Sequence, residues 1–432
     1  MERLEIKGKA ATAIAYAKVI EDEAVEQIRR MCDYEFAEGA KIRIMPDVHW
    51  GKGCTIGTTM TVRDKVVPNL VGVDIGCGMY TVNLGKKELD LAKVDEAAHI
   101  IPSGRQLWEG RQAKFDFTEL RCYRDLKNVK RIAKALGTLG GGNHFIEIDR
   151  AADGTNYLVI HTGSRSLGTQ VAEIYQSLAI DLAHGKAALF AARDEMIRRY
   201  KAEGRRAELQ EAIKELHRSF RPTKMSVPPD LAFLFGKYLD DYLHDIEICQ
   251  RFARLNREKI AEKLLEHIGV TPSEAFHTVH NYIDTEEMIL RKGAIAAHKG
   301  ERVLIPINMR DGSILAVGRG DPEWNYSGPH GAGRLMSRTT ARERFTLEEF
   351  QKEMTGVYTT SIGEGTLDEA PMAYKSLADI IDVIRDSVDV IEVLKPLYNF
   401  KAGGPRGAVE ENEDGKEQEE VKNRELYGIC EK

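Results

Sequence analysis

An α+β fold is what this sequence predicts, and three observations predict it. Short apolar or alternating runs at 41–45, 157–160 and 302–306 have the length and period of strands and lead into loops rich in Gly, Asn and His. Between 169 and 266 the composition shifts to Ala, Leu, Glu, Lys and Arg, the residues helices prefer, with a break from Arg221-Pro222 to Pro228-Pro229. The reactive residue types gather where the strand-like runs end. The expected architecture is a sheet core bearing its functional residues at strand ends, with a helical layer supplied largely by 169–266.

A chain of 432 residues allows two or three domains or one large elaborated domain. With 42% hydrophobic and 30% charged residues it reads as globular, and no apolar run approaches the roughly 18 residues that span a bilayer, which argues against a membrane protein. The start, Met-Glu-Arg-Leu-Glu-Ile-Lys, is charged where a signal peptide needs an apolar core, so a cytoplasmic protein is expected. Six scattered cysteines, Cys32, Cys54, Cys77, Cys122, Cys249 and Cys430, suit a reducing compartment. The formal net charge of −6 gives no global basic signature, so any nucleic-acid contact must use a local patch.

In chain order, a short strand-like piece precedes a helix over 21–31, whose acidic start and basic end complement the helix dipole. The strand at 41–45 runs into Pro46-Asp47-Val48-His49-Trp50-Gly51-Lys52-Gly53-Cys54, which is either a reactive loop or a surface turn capped by Asp47. Residues 71–79, Val-Gly-Val-Asp-Ile-Gly-Cys-Gly-Met, put a hard oxygen (Asp74) and a soft sulfur (Cys77) three residues apart, a spacing that reaches one metal ion or a bridged pair. Gly76 and Gly78 allow the tight bend this needs; the plainer alternative is a glycine turn with a buried cysteine. Residues 86–135 read as two helices with a connecting segment, and the Lys and Arg between Arg105 and Lys134 fit an RNA-facing patch or a solvated helix face.

Residues 137–147, Gly-Thr-Leu-Gly-Gly-Gly-Asn-His-Phe-Ile-Glu, form a glycine-rich loop running into a strand that carries Asn143, His144 and Glu147. The strand at 157–160 ends in His161-Thr162-Gly163-Ser164-Arg165, a metal ligand followed by phosphate donors. His184, His217, His244 and His267, on the helical block, read as ordinary helix residues. In 276–283, one of His277 and His280 is expected to be a ligand, since on a strand they point to opposite faces. Trp324-Asn325-Tyr326-Ser327-Gly328-Pro329-His330-Gly331-Ala332-Gly333-Arg334 precedes an expected helix with Arg334 and Arg338 in its first turns, an anion site beside which His330 can be ligand or nucleophile. A helix near 347–354, the segment 368–375 and an alternating Val/Ile run to Lys401 follow, and 404–432 is an acidic, disordered tail by composition.

Together these segments resemble the RtcB family, GTP-dependent RNA ligases that join 3′-phosphate to 5′-hydroxyl ends. The resemblance rests on Asp47-Val-His-Trp-Gly-Lys-Gly, Asp74-Ile-Gly-Cys77-Gly, Gly-Asn143-His144-Phe-Ile-Glu147, His161-Thr-Gly-Ser-Arg165, His280-Asn281 and His330-Gly-Ala-Gly-Arg334, in the family's order over roughly 5–403. It implies one catalytic domain over 1–403, and two manganese ions held by Asp74, Cys77, His144, His161 and His280, with Cys77 bridging; this selects His280 over His277. It implies GTP contacts at Asn143, His144, Phe145, Ile146, Glu147, Asn281, Pro306, Asn308, Met309, Ser313, Gly331, Ala332, Gly333, Tyr374 and Lys401. His330 falls on the nucleophile, Arg165 on a holder of RNA phosphate, Arg334 on a group offsetting phosphoryl charge, and Asp47 on a further catalytic candidate.

The implied partners are RNA with 3′-phosphate or 2′,3′-cyclic phosphate and 5′-hydroxyl ends, in tRNA splicing or RNA repair, with an activating protein as a further candidate. The chain departs from the family at Pro306-Ile-Asn308-Met309-Arg310-Asp-Gly-Ser313, where a glycine is lost and Arg310 is gained beside the nucleotide. Two rival readings share these residues: a dinuclear metal phosphohydrolase or nuclease, and a non-catalytic protein that binds RNA ends.

Overall fold

Residues 3–17 and 20–402 are described in a computed structural model; the acidic tail expected at 404–432 lies outside them. Two sheets organise the chain. The first runs in the order Leu4–Lys7, Thr12–Ala15, Ile42–His49, Ile56–Thr61, Ile289–Lys292 and Asn281–Asp284. The second runs Glu274–Val279, Gly78–Gly85, Asn156–Thr162, Phe145–Arg150, Val388–Lys401, Gly312–Gly318 and Arg302–Asn308. Every pairing is antiparallel except that of Thr12–Ala15 with Ile42–His49, and a separate short pair joins Ala294–Ala296 to Ser327–Pro329. The α+β expectation holds.

The helical block appears as Arg165–Ala183, Lys186–Ala202, Leu209–Ser219 and Lys237–Ile268, with the proline-marked break between the last two. The 32-residue helix Lys237–Ile268 ties the molecule together. Its Tyr242, Ile246 and Phe252 enter the core shared with the first sheet, through Ile42 and Ile44. About two and three turns on, Ile260 and Leu264 enter the core under the second sheet, against Ile146, Ile148, Leu158 and Ile160. One stripe of apolar residues at helical spacing thus fixes both sheets against one rod.

Two segments differ from expectation. The Pro46-Asp47 stretch continues the strand Ile42–His49 instead of opening a loop, and the register with Ile56–Thr61 shifts between Ile44 and His49, where a proline that cannot donate is tolerated. The two helices expected in 86–135 are present, as Leu91–Ile100 and the six-residue Val129–Lys134, with two short 3₁₀ turns in the segment that connects them. The Val/Ile run before Lys401 is first a helix, Leu377–Ile384, capped by the Ser376 hydroxyl accepting from the Asp379 amide, and only then the strand Val388–Lys401. No helix among the described residues is long and apolar enough to cross a membrane.

Candidate active site

Strand register assembles the site. Cys77 directly precedes Gly78–Gly85, His144 directly precedes Phe145–Arg150, and His161 is the penultimate residue of Asn156–Thr162. In the antiparallel ladders Met79 and Phe145 both face His161, while Gly78 faces Thr162 on one side and Val279 on the other. His280 is the residue at which the chain leaves the second sheet, after Val279, and enters the first, at Asn281. Four neighbouring strand ends therefore deliver one thiol and three imidazoles to a single point.

The ligand atoms converge closely. Cys77 Sγ lies 3.5 Å from His144 Nε2 and 3.3 Å from His161 Nε2, and His161 Nε2 lies 2.9 Å from His280 Nε2. Asp74 Oδ2 lies 3.0 Å from His144 Nε2. They form two metal-sized triads, Asp74/Cys77/His144 and Cys77/His161/His280, within each of which the ligand atoms lie within 4.8 Å of one another; Cys77 belongs to both. The far nitrogens are fixed by backbone: His144 Nδ1 by Leu139 O at 3.0 Å and His161 Nδ1 by Asn143 O at 3.1 Å, which orients each Nε2 inward.

The donor set fits divalent cations. Burial, reinforced by neighbouring imidazoles, pushes His161 and His280 well below the usual histidine range, so both are neutral, as ligands must be. Burial and the Asp74 carboxylate push the Cys77 thiol well up. Burial works to raise Asp74, but the His144 hydrogen bond and the Arg165 charge hold it below the usual range. A buried thiol whose ionisation an adjacent carboxylate opposes is matched by bound cations.

Backbone approach here is tight. Gly76 has φ +77, its amide donates to Asn281 O at 2.7 Å, and a Cβ would sit 2.9 Å from Ala253 Cβ. At Gly163 a Cβ would lie 2.2 Å from Asp74 Oδ1. Only glycine fits at either point.

His330 follows the strand Ser327–Pro329 and its ring stands 4.9 Å from that of His280, centroid to centroid. Its Nδ1 is 2.6 Å from Asp47 Oδ2, which also accepts the His330 amide at 3.2 Å. Asp47 is fully buried on the strand Ile42–His49, at a position where the sequence leads one to expect a loop. With Nδ1–H donating to this carboxylate, the lone pair of His330 sits on Nε2, the free nitrogen.

A second cluster surrounds Glu369. Lys401 donates to its Oε2, Tyr374 OH donates to the same oxygen at 2.7 Å, and Arg334 Nη1 and Arg338 Nη2 approach Oε1, each at 3.4 Å. Neighbouring Asp368 takes Arg338 at 3.3 Å and Arg342 at 3.1 Å. Burial works to raise Glu369, yet Lys401, Arg338 and Arg334 hold it well below the usual carboxylate range. Next to it Glu147 accepts from the Asn399 side-chain amide, with Asp149 and the Ser313 hydroxyl buried beside it. Burial and the Glu147 charge push Asp149 well up.

One placement needs correction. Arg334 is not on a helix: the helix is Arg338–Arg344, N-capped by Ser337, while Arg334 bridges Tyr374 and donates to Asp368 O at 2.7 Å. Arg310, expected to alter the nucleotide contacts, is held by Asp311 at 2.8 Å and by Glu353. Asn308 caps the same turn, accepting from the Arg310 and Asp311 amides, and Met309 packs into an apolar cluster with Phe350 and Met354. Ile146 points away from Phe145 and Glu147 into the core, as strand alternation requires. Phe145, by contrast, lies 5.2 Å from the His161 ring and 5.6 Å under the Lys401 ammonium. Pro306 pairs with Ser313, and its carbonyl lies 3.3 Å from where a Gly331 Cβ would be. Ala332 is buried between Gly331 and Gly333, and Asn281 Oδ1 accepts from the Gly293 amide at 2.9 Å.

Sequence reasoning gave no role to Asn256, Arg257 or Glu369. Arg257 donates to Gly76 O at 2.7 Å and Thr162 O at 2.8 Å, and Asn256 ties Gly137, Thr138 and Gly163 together. Their signal was present: two polar residues in the apolar stripe between Phe252 and Ile260. Arg165, with φ +55, reaches Thr138 Oγ1 at 3.2 Å and Gly104 O at 3.0 Å.

The chain is similar to known sequences over most of its length. The family described as tRNA-splicing ligase RtcB matches residues 27–122 and 121–402. The RNA-splicing ligase RtcB of Escherichia coli (strain K12) is 31% identical, covering 83% of this chain and 90% of its own length. The tRNA-splicing ligase RtcB of Aeropyrum pernix is 27% identical over 79% of this chain, and that of Thermococcus kodakarensis is 24% identical over 82%.

Proposed function

The chain belongs to the RtcB family, and on that premise we propose that it is an RNA ligase joining 3′-phosphate or 2′,3′-cyclic phosphate ends to 5′-hydroxyl ends with GTP, in tRNA splicing or RNA repair. The catalytic unit we assign to residues 1–403. The observation that carries the reading is the thiol shared by two ligand triads, next to a histidine whose Nδ1 is held by buried Asp47. Asp74, Cys77 and His144 would hold one divalent cation and Cys77, His161 and His280 the other, manganese by family resemblance. Such cations, when bound, offset charge on phosphate oxygens.

His330 Nε2 attacks the α-phosphorus of GTP, forming a phosphorus–nitrogen bond as pyrophosphate leaves, while His330 Nδ1 keeps its proton, donated in a hydrogen bond to the Asp47 carboxylate, which stabilises the positive charge on the ring. Arg334, with Arg338 and Lys401, supplies positive charge beside the nucleotide; Glu147, with Ser313 and Asn399, offers a polar wall for the guanine edge, and Tyr374 lies beside the ring. The RNA 3′-phosphate then takes the guanylate from His330, Arg165 orienting that phosphate. The incoming 5′-hydroxyl displaces GMP to close the phosphodiester. A metal phosphohydrolase has no need of the His330–Asp47 pair, which is why ligation is preferred.

Incubation of the protein with end-labelled RNA, GTP and manganese tests this. Joined product that requires GTP over ATP and disappears with His330→Ala is expected. Metal-dependent release of phosphate from the ends, without joining, would support the hydrolase instead.

A further inference from the structure

Nine lysines and arginines against four carboxylates fall between Arg105 and Lys134, in a chain that is acidic as a whole. All nine cationic residues are exposed. Among the described residues they make one ion pair, Arg121 with Asp241 at 3.8 Å. The helices Lys186–Ala202 and Leu209–Ser219 behave differently: Arg193 pairs with Asp194, Arg198 with Glu195, and Arg218 with Glu215. Self-neutralised charge is what a solvated helix face shows, and the 105–134 stretch lacks it.

The backbone under these cations is fixed. Buried Asp245 accepts from the Arg121 amide at 2.8 Å and the Cys122 amide at 3.0 Å, and the Phe115 and Phe117 rings pack on Phe252 at 5.1 and 5.9 Å. The two ends of the stretch meet: Trp108 Nε1 donates to Gly137 O at 2.8 Å, and the Gly104 amide donates to Gly140 O at 2.8 Å. Arg165 closes that junction, bonding Gly104 O on the outgoing side and Thr138 Oγ1 on the returning side. The excursion therefore leaves and re-enters the protein at the arginine assigned to the RNA end, and it displays an exposed aromatic ring, Tyr123.

We propose that residues 105–134 form a preorganised track for single-stranded RNA, their cations holding the phosphates of the strand whose 3′ end lies at Arg165 and Tyr123 offering a surface for base stacking. This rests on the RNA-ligase reading for the identity of the strand.

The test compares the full chain with a triple variant, Arg111→Gln/Arg124→Gln/Lys130→Gln, none of which touches the ligand triads or His330. Binding of a labelled single-stranded RNA bearing a 3′-phosphate is followed by anisotropy across a salt series, and guanylate incorporation from GTP is measured in parallel. In the variant the salt slope is expected to fall by about 2, from about 0.7 per phosphate contact, and affinity at physiological salt to weaken on the order of tenfold. Guanylate incorporation stays unchanged. A control, Arg198→Gln/Arg199→Gln/Lys201→Gln, leaves binding unaltered. Equal slope and affinity in the triple variant and the unaltered chain would overturn the track and leave an acidic protein surface as the partner of this patch. Absence of guanylate incorporation in the unaltered chain would overturn the ligase reading alone, because the salt slope is read without it.

Discussion

The cluster around Cys77 and the cluster around Glu369 use charge in opposite proportions. Around Cys77 a thiol, a carboxylate and neutral imidazoles converge, and the nearest cations, Arg257 and Arg165, bond to carbonyl and hydroxyl groups behind them. Around Glu369 two carboxylates already hold Arg334, Arg338, Arg342 and Lys401. The first cluster lacks cations and gains from taking them up. The second has cations in excess of its carboxylates, so it can offer positive charge to a phosphate chain without leaving a buried charge unpaired.

The contrast breaks most severely at the shared sulfur. Cys77→Ala removes a donor from both triads, so bound manganese, measured by elemental analysis after gel filtration, is expected to fall from two ions per chain to one or none. Ligation is expected to fall by on the order of 10³-fold or more. Retention of two ions would mean that Cys77 is not the bridge. The next effect is at Asp47, which touches neither triad: Asp47→Ala is expected to slow guanylate incorporation by roughly 10²–10⁴-fold while leaving metal content intact, because His330 loses the partner that fixes its tautomer. Loss of metal in that variant would join the two roles the geometry separates.

Glu369→Gln tests the second cluster through stability. It leaves Lys401 and Arg334 with half-satisfied charge, a cost of about 3–5 kcal/mol in denaturant unfolding at pH 7. Because the folded-state pKa of Glu369 is depressed, its contribution is present above the ordinary carboxylate value and is lost as pH falls toward the lowered one. The unaltered protein should therefore lose more stability between neutral and acid pH than the variant does, and parallel curves would refute the assignment. The smallest effect is expected at Arg310→Gly: with its guanidinium on Asp311 and Glu353, the change should cost under about 1 kcal/mol and move the KM for GTP by less than about threefold. A larger KM shift would return Arg310 to the nucleotide.

How legible each cluster was follows from the range of its contacts. The ligands around Cys77 sit at strand ends marked by Gly, Asn and His, so residues 74, 77, 144 and 161 stood out locally. Alternation cannot separate His277 from His280, because it holds along a single strand and the chain changes sheets at His280. His277 instead stacks on Tyr80 at 4.3 Å and faces Arg257 and Glu258. Glu369 was illegible, since its meaning comes from Arg334, Tyr374 and Lys401, the first and last of which are 35 and 32 positions away. The helix Leu377–Ile384 was hidden by apolar residues that suit either period, with only the Ser376 cap to decide.

In the proposed ligation His330 Nε2 is the atom that accepts guanylate. Intact-mass measurement of the protein after incubation with GTP and manganese, beside ATP, metal-free and His330→Ala samples, addresses it directly. A gain of one GMP, labile in acid, seen only with GTP and metal and absent from His330→Ala, is the predicted result. An adduct that persists in His330→Ala, or no adduct under any metal, would contradict it.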